Sequence, residues 1–260
     1  MKFKCLWMTV LTLFMTGTIC MAAAAPAEES AKSLPAVEKK AILPPHEHTA
    51  DCMKTSAEPV QIICILDRSG SMRHLAEDTI GGYNSFLTKQ REESGTAEVT
   101  TVLFDDQYEK IVDAVDIREA PEMTSKEYYA RGMTALLDAV GRTVTGTLHR
   151  MQTNGICPAN RRVLFLIMTD GKENNSKEFD KASVKALIDA TTKEYGWNYI
   201  FMGANIDSVA EAESLGINAG HAVNYKHNAD GIAQSFDRMD AAAREVRENG
   251  SVGESWKESR

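Results

Sequence analysis

The sequence predicts an α/β fold, doubly wound, in which a mostly parallel sheet carries helices on both faces. Two apolar runs point to it. Ile62-Ile63-Cys64-Ile65-Leu66 and Val163-Leu164-Phe165-Leu166-Ile167-Met168 are continuous rather than alternating, as strands buried on both faces are. A third observation is the order of the remaining segments, in which strand-like and helix-like stretches alternate along the chain.

The first strand spans about 60–66. A helix follows from about His74 to Glu93, with Leu75, Ile80, Phe86 and Leu87 as its candidate buried stripe. Ala97 to Phe104 alternates in polarity, and Asp105-Asp106-Gln107 is a polar turn into Tyr108–Val115, so this pair reads as a hairpin. Thr134–Thr147 is helical, with Ala135, Leu136, Ala139, Val140 and Val144 on one stripe. Arg162–Met168 is the central strand, and Glu178–Tyr195 is a helix. Trp197–Met202 is a strand, Asp207–Leu215 a short helix, and Ala219–Tyr225 the last strand. Asp230 to Arg247 is an amphipathic helix, and residues from Gly250 onward read as a frayed tail.

The chemistry sits where the apolar runs stop. Asp67-Arg68-Ser69-Gly70-Ser71 places a carboxylate and two hydroxyls on the loop at the carboxyl end of the first strand, where open α/β sheets bind ligands. Gly70 lets the chain turn tightly there. Arg131-Gly132-Met133-Thr134 brings a threonine on a glycine loop just before a helix, and Thr169-Asp170-Gly171 ends the second apolar run in an aspartate. Hydroxyls and carboxylates converging on one spot make a hard oxygen site suited to Mg²⁺ or Mn²⁺.

Together these residues resemble the metal-ion-dependent adhesion site of von Willebrand factor type A domains, whose pattern is Asp-x-Ser-x-Ser, a distant Thr and a distant Asp. It is matched here by Asp67, Ser69, Ser71, Thr134 and Asp170. Three segments in the right order carry far more information than one short pattern. The resemblance covers roughly residues 58–247. It implies a Rossmann-like domain with one antiparallel edge strand. It also implies a function: metal-dependent capture of an Asp or Glu carboxylate presented by a partner protein. In that scheme Ser69 and Ser71 hold the ion directly, Thr134 holds it directly or through water, and Asp67 and Asp170 neutralise its charge. The alternatives are a metal-dependent hydrolase, for which the sequence nominates no base, and a structural module of the envelope whose metal site is incidental.

The amino end carries Lys2 and Lys4, an apolar stretch from Cys5 to Ala25 and small residues at its close, the pattern of an export signal or, uncleaved, of an anchor. We therefore expect residues 1–25 to be a signal and the folded part to be periplasmic or secreted. Residues 26–57 are polar or proline-rich and read as a flexible linker. In it His46, His48 and Cys52 lack a fourth ligand for a soft metal. Residues 58–247 form the domain and 248–260 the tail. Removing the signal leaves 27 basic against 37 acidic side chains, a balance of −10, which argues against nucleic acid.

Cys64 lies mid-strand and reads as a buried thiol. In the family sheet the strands that follow Cys52 and Cys157 are parallel neighbours. The resemblance thus implies a Cys52–Cys157 bridge in an oxidising compartment. Arg68, Arg73, His74, Arg131 and Lys172 surround the expected site and predict a basic rim that steers an acidic ligand. No dinucleotide or phosphate glycine loop, nucleophile elbow or His-Glu-x-x-His zinc motif occurs, and His74 and His221 have no nucleophile partner in the sequence.

Overall fold

The computed structural model describes residues 59–258. The expected signal and linker, with His46, His48 and Cys52, lie outside the described residues. β1 (Val60–Asp67) leads through a 3₁₀ turn (Gly70–Leu75) into α1 (Ala76–Glu92). β2 (Ala97–Phe104) and β3 (Tyr108–Asp116) form a hairpin, and α2 (Leu136–Thr153) precedes β4 (Val163–Thr169). Then come α3 (Lys181–Tyr195), β5 (Asn198–Gly203), α4 (Ser208–Ser214), β6 (Ala222–Asn224) and α5 (Ala229–Asn249).

The six strands lie in the order β3-β2-β1-β4-β5-β6. All pairs are parallel except β2 with the edge strand β3. β1 is central and buried along its whole length, which is why its sequence is apolar without alternation. Successive side chains point to opposite faces. Ile62, Cys64 and Leu66 pack with Phe86 of α1 and Met239 of α5, whereas Ile63 and Ile65 pack with Val140 of α2 and Ile188 of α3. On the second face Phe165 stacks on Tyr199 with ring centroids 4.6 Å apart.

The helices expected from Thr134 and Glu178 start late because groups near their ends are bonded elsewhere. α2 begins at Leu136 rather than Thr134, since the Thr134 amide donates to Asn174 Oδ1 (2.9 Å) and the Asn174 amide to the Thr134 carbonyl (3.0 Å). α3 begins at Lys181, where Asp180 and Ser183 form a reciprocal cap. The amides of 177–179 ahead of it donate to the buried Asp138 carboxylate. In α1 the stripe includes Tyr83, whose hydroxyl is 2.6 Å from Thr101 Oγ1, while Ile80 is only partly buried. The last strand is shorter than expected, because residues 219–221 form a 3₁₀ turn.

The stretch beyond Gly250 does not fray as expected. Val252 and Trp256 are buried against the face covered by α1 and α5, and Ser255–Glu258 form a 3₁₀ turn. The Val252 amide also donates to Asn198 Oδ1 (3.1 Å) and the Gly253 amide to Glu245 Oε2 (2.7 Å). Cys157 is disulfide-bonded, and its expected partner Cys52 lies outside the described residues. Cys64 is a free thiol that burial pushes up to about 12.

Candidate metal centre

β1 and β4 are neighbours, so Asp67 at the end of one and Asp170 just past the end of the other meet at the carboxyl edge of the sheet. The two chains leave this edge for opposite faces, the crevice in which α/β sheets hold ligands. Asp67 is fully buried. Its Oδ1 accepts from the Ser69 amide (2.7 Å) and its Oδ2 from the Thr169 hydroxyl (2.6 Å). The Ser69 and Ser71 hydroxyls are 3.1 Å apart, and Ser71 donates to Asp170 Oδ1 (2.6 Å).

Thr134 reaches the same place because its loop is strapped to the first. The Arg131 amide donates to the Arg68 carbonyl (2.9 Å), the Gly70 amide to the Gly132 carbonyl (3.2 Å), and the Ala135 amide to the Asp105 carbonyl (2.8 Å). Gly132 has φ +67°, a left-handed backbone that side-chain-bearing residues rarely adopt, and a Cβ there would stand 2.0 Å from Asp106 Oδ1, so any other residue would be strained at this approach. Thr134 is buried, makes no side-chain cap to α2, and its Oγ1 would lie 3.9 Å from a Cβ on Gly171.

This arrangement suits a divalent cation. Burial pushes the Asp67 carboxyl up to about 6, against the hydrogen bonds from Thr169 and Ser69. A carboxylate desolvated this way is costly unless a positive charge compensates it. Asp170 Oδ2 is buried without a hydrogen bond. Among the described residues no three His, Cys, Asp or Glu side chains are placed to hold a metal ion by themselves, so any hard-metal site here depends on the serine and threonine hydroxyls.

His227, just before α5, adds an imidazole to the site that no sequence motif marks. Its Nε2 lies 2.8 Å from Asp170 Oδ2, off hydrogen-bond alignment, and both atoms are buried. His74 packs edge-on against its ring at 4.7 Å. A lone histidine beside a helix cap carries no spacing pattern, and only the fold brings it across 57 positions to Asp170. Groups that orient a ligand carboxylate tune metal affinity. His227→Ala is therefore expected to weaken Mg²⁺ binding by about tenfold or more while the metal-free melting temperature barely moves. Calorimetry showing unaltered affinity would remove His227 from the site. His221, in contrast, sits at the amino end of β6, on the opposite edge of the sheet.

Two of the five residues of the expected basic rim are spent in ion pairs. Arg68 is fully buried. Its Nε donates to Asp105 Oδ2 (3.1 Å), its Nη1 donates to the Glu127 carbonyl (3.1 Å), and its Nη2 is in ion-pair contact with Glu109. Arg131 pairs with the same Asp105 oxygen (2.8 Å). Asp105 is thus not a mere turn residue but the buried counter-charge of two arginines. Arg73, His74 and Lys172 stay exposed.

No protein-family model matches the chain, and no curated protein does. Solved structures do. A von Willebrand factor type A protein from Catenulispora acidiphila superposes with a TM-score of 0.50 at 18% identity, over 72% of this chain and 42% of that one. Proximal thread matrix protein 1 of the mussel byssus gives 0.50 at 13% identity, over 70% and 47%. Its form with a zinc-occupied MIDAS (metal-ion-dependent adhesion site) motif gives 0.50 at 12%, over 70% and 47%. The chain spans less than half the length of each. The described domain therefore has the von Willebrand factor type A fold, as its sequence motifs imply.

Proposed function

We propose that this domain is an exported binding module that holds one divalent cation, Mg²⁺ or Mn²⁺, and captures through it a carboxylate of a protein partner. The observation that carries the reading is the chain of contacts Ser69–Ser71–Asp170 beside the buried Asp67, with Asp170 Oδ2 making no hydrogen bond and facing the His227 Nε2 at 2.8 Å. Ser69, Ser71 and Thr134 would hold the cation by their hydroxyls, and Asp67 and Asp170 would balance its charge. Neutral hydroxyls donate little charge, so a bound cation stays electrophilic and supplies a position for an Asp or Glu oxygen. Ser71 is exposed while Asp67 is fully buried, which opens the site on one side only. The zinc-occupied motif of the similarly folded byssus protein supports this reading.

The test is capture of proteins from the exported fraction by the immobilised chain in Mg²⁺. Capture should vanish with EDTA, with Asp67→Ala, and after carboxylates of the fraction are amidated. Capture indifferent to all three would indicate a structural module instead. A metal-dependent hydrolase is the second reading, and the His227 imidazole beside Asp170 is what favours it. Turnover of ester or phosphate substrates that Asp67→Ala removes would support it, and background rates would retire it.

A further inference from the structure

Among the described residues two large hydrophobic side chains stand out as exposed, Tyr129 at 44% and Met133 at 50%. Both lie on the loop that delivers Thr134, and that loop is bonded to the Asp67–Ser71 loop through Arg131 and Gly132. Met133 directly precedes Thr134, and the Tyr129 ring lies 5.4 Å from the guanidinium of Arg68, between Asp67 and Ser69 in the chain, so both side chains flank the candidate metal position. Isolated exposed hydrophobics need no explanation, but a pair confined to one ligand-binding loop does.

Tyr129 is also held in place. The Arg131 guanidinium lies 4.9 Å from its ring centroid, that of Arg68 lies 5.4 Å away, and Arg131 Nη1 donates to its hydroxyl (2.7 Å). Both arginines are anchored in turn by Asp105. A tyrosine fixed this way loses little freedom on binding, which makes it an efficient anchor. Met133 is unbranched and adapts to irregular surfaces. The same ion pairs spend the positive charge of Arg68 and Arg131, so this side of the rim attracts by apolar contact and not by charge.

We infer that the partner segment presents an Asp or Glu with a large apolar side chain within a residue or two of it, the carboxylate going to the cation and the apolar group to Tyr129 and Met133. This rests on the proposed carboxylate capture and adds the chemistry that selects among acidic segments.

Random dodecapeptides displayed on phage would be selected on the immobilised full chain in Mg²⁺ and released with EDTA. The released peptides should carry an acid with an apolar neighbour. A Tyr129→Ser/Met133→Ser variant that still binds Mg²⁺ should keep the enrichment in acids and lose that in apolar neighbours. A selected peptide should bind that variant about tenfold or more weakly than the parent, as on removal of an aromatic anchor. If the double variant loses Mg²⁺, the single variant Met133→Ser decides by the same readouts. Acidic peptides without an apolar preference, or one that persists in the variant, would overturn the inference while leaving carboxylate capture standing. No EDTA-released peptides at all would overturn both.

Discussion

Asp67→Ala is expected to abolish divalent-cation binding while leaving the sheet folded. The parent chain should show about one Mg²⁺ or Mn²⁺ site by titration calorimetry, as one hard-oxygen cluster dictates. Asp67 is the member of the set that no neighbour can replace, since its two oxygens fix the Ser69 amide and the Thr169 hydroxyl from the centre of the sheet. A cation that binds only the folded chain adds about 2.7 kcal/mol of stability at a hundred times its dissociation constant. That increment should disappear in the variant, and unchanged binding would dismiss the assignment. Without metal the variant should remain folded. It removes the acceptor of the Ser69 and Asp170 amides and of the Thr169 hydroxyl, at about 1–3 kcal/mol for a donor left unsatisfied, but Thr169 also reaches the Gly171 carbonyl (3.2 Å) and the change removes a carboxylate that burial disfavours. Folding raises the pKa of Asp67 from 3.8 to about 6, so its contribution is greatest below the unfolded value and is lost as pH rises through the folded one. The metal-free parent should therefore lose stability relative to the variant over that interval.

Asp105→Ala should be the most destabilising single change near the site, by about 3–5 kcal/mol in urea unfolding, because it strands a buried charge. Arg68 is fully buried, and Asp105 is the buried member of its ion pairs, Glu109 being half exposed. Asp105 Oδ1 also accepts from the Gln107 amide (2.6 Å), and its backbone carbonyl holds the Ala135 amide next to Thr134. Arg131→Ala, at a side chain 32% exposed, should cost no more than about 1 kcal/mol. A loss under about 1 kcal/mol for Asp105→Ala would show that Glu109 alone compensates Arg68.

Much of this was legible beforehand. The uninterrupted apolar runs of β1 and β4 announce central parallel strands, since residues on both faces must be buried there. The turn at Asp105–Gln107 announces the hairpin, although β2 is buried on both faces rather than alternating as its sequence suggests, and aspartates placed where strands stop announce an edge at which carboxylates gather. These are local signals, carried by residues within a few positions of one another.

What the sequence by itself determined, then, is the α/β class, the order of strands and helices, and the five residues Asp67, Ser69, Ser71, Thr134 and Asp170 as a candidate set. Only the tertiary structure decided what the other charged and aromatic side chains do. Arg68 and Arg131 read as a basic rim until the fold sets Asp105 between them. His227 has no pattern until α5 returns to the sheet and places it against Asp170, and Trp256 belongs to a tail until it is found in the core. The physical reason is common to all three. Burial and ion pairing depend on which residues distant in sequence become neighbours in space, and that is set by sheet order and helix packing rather than by local spacing.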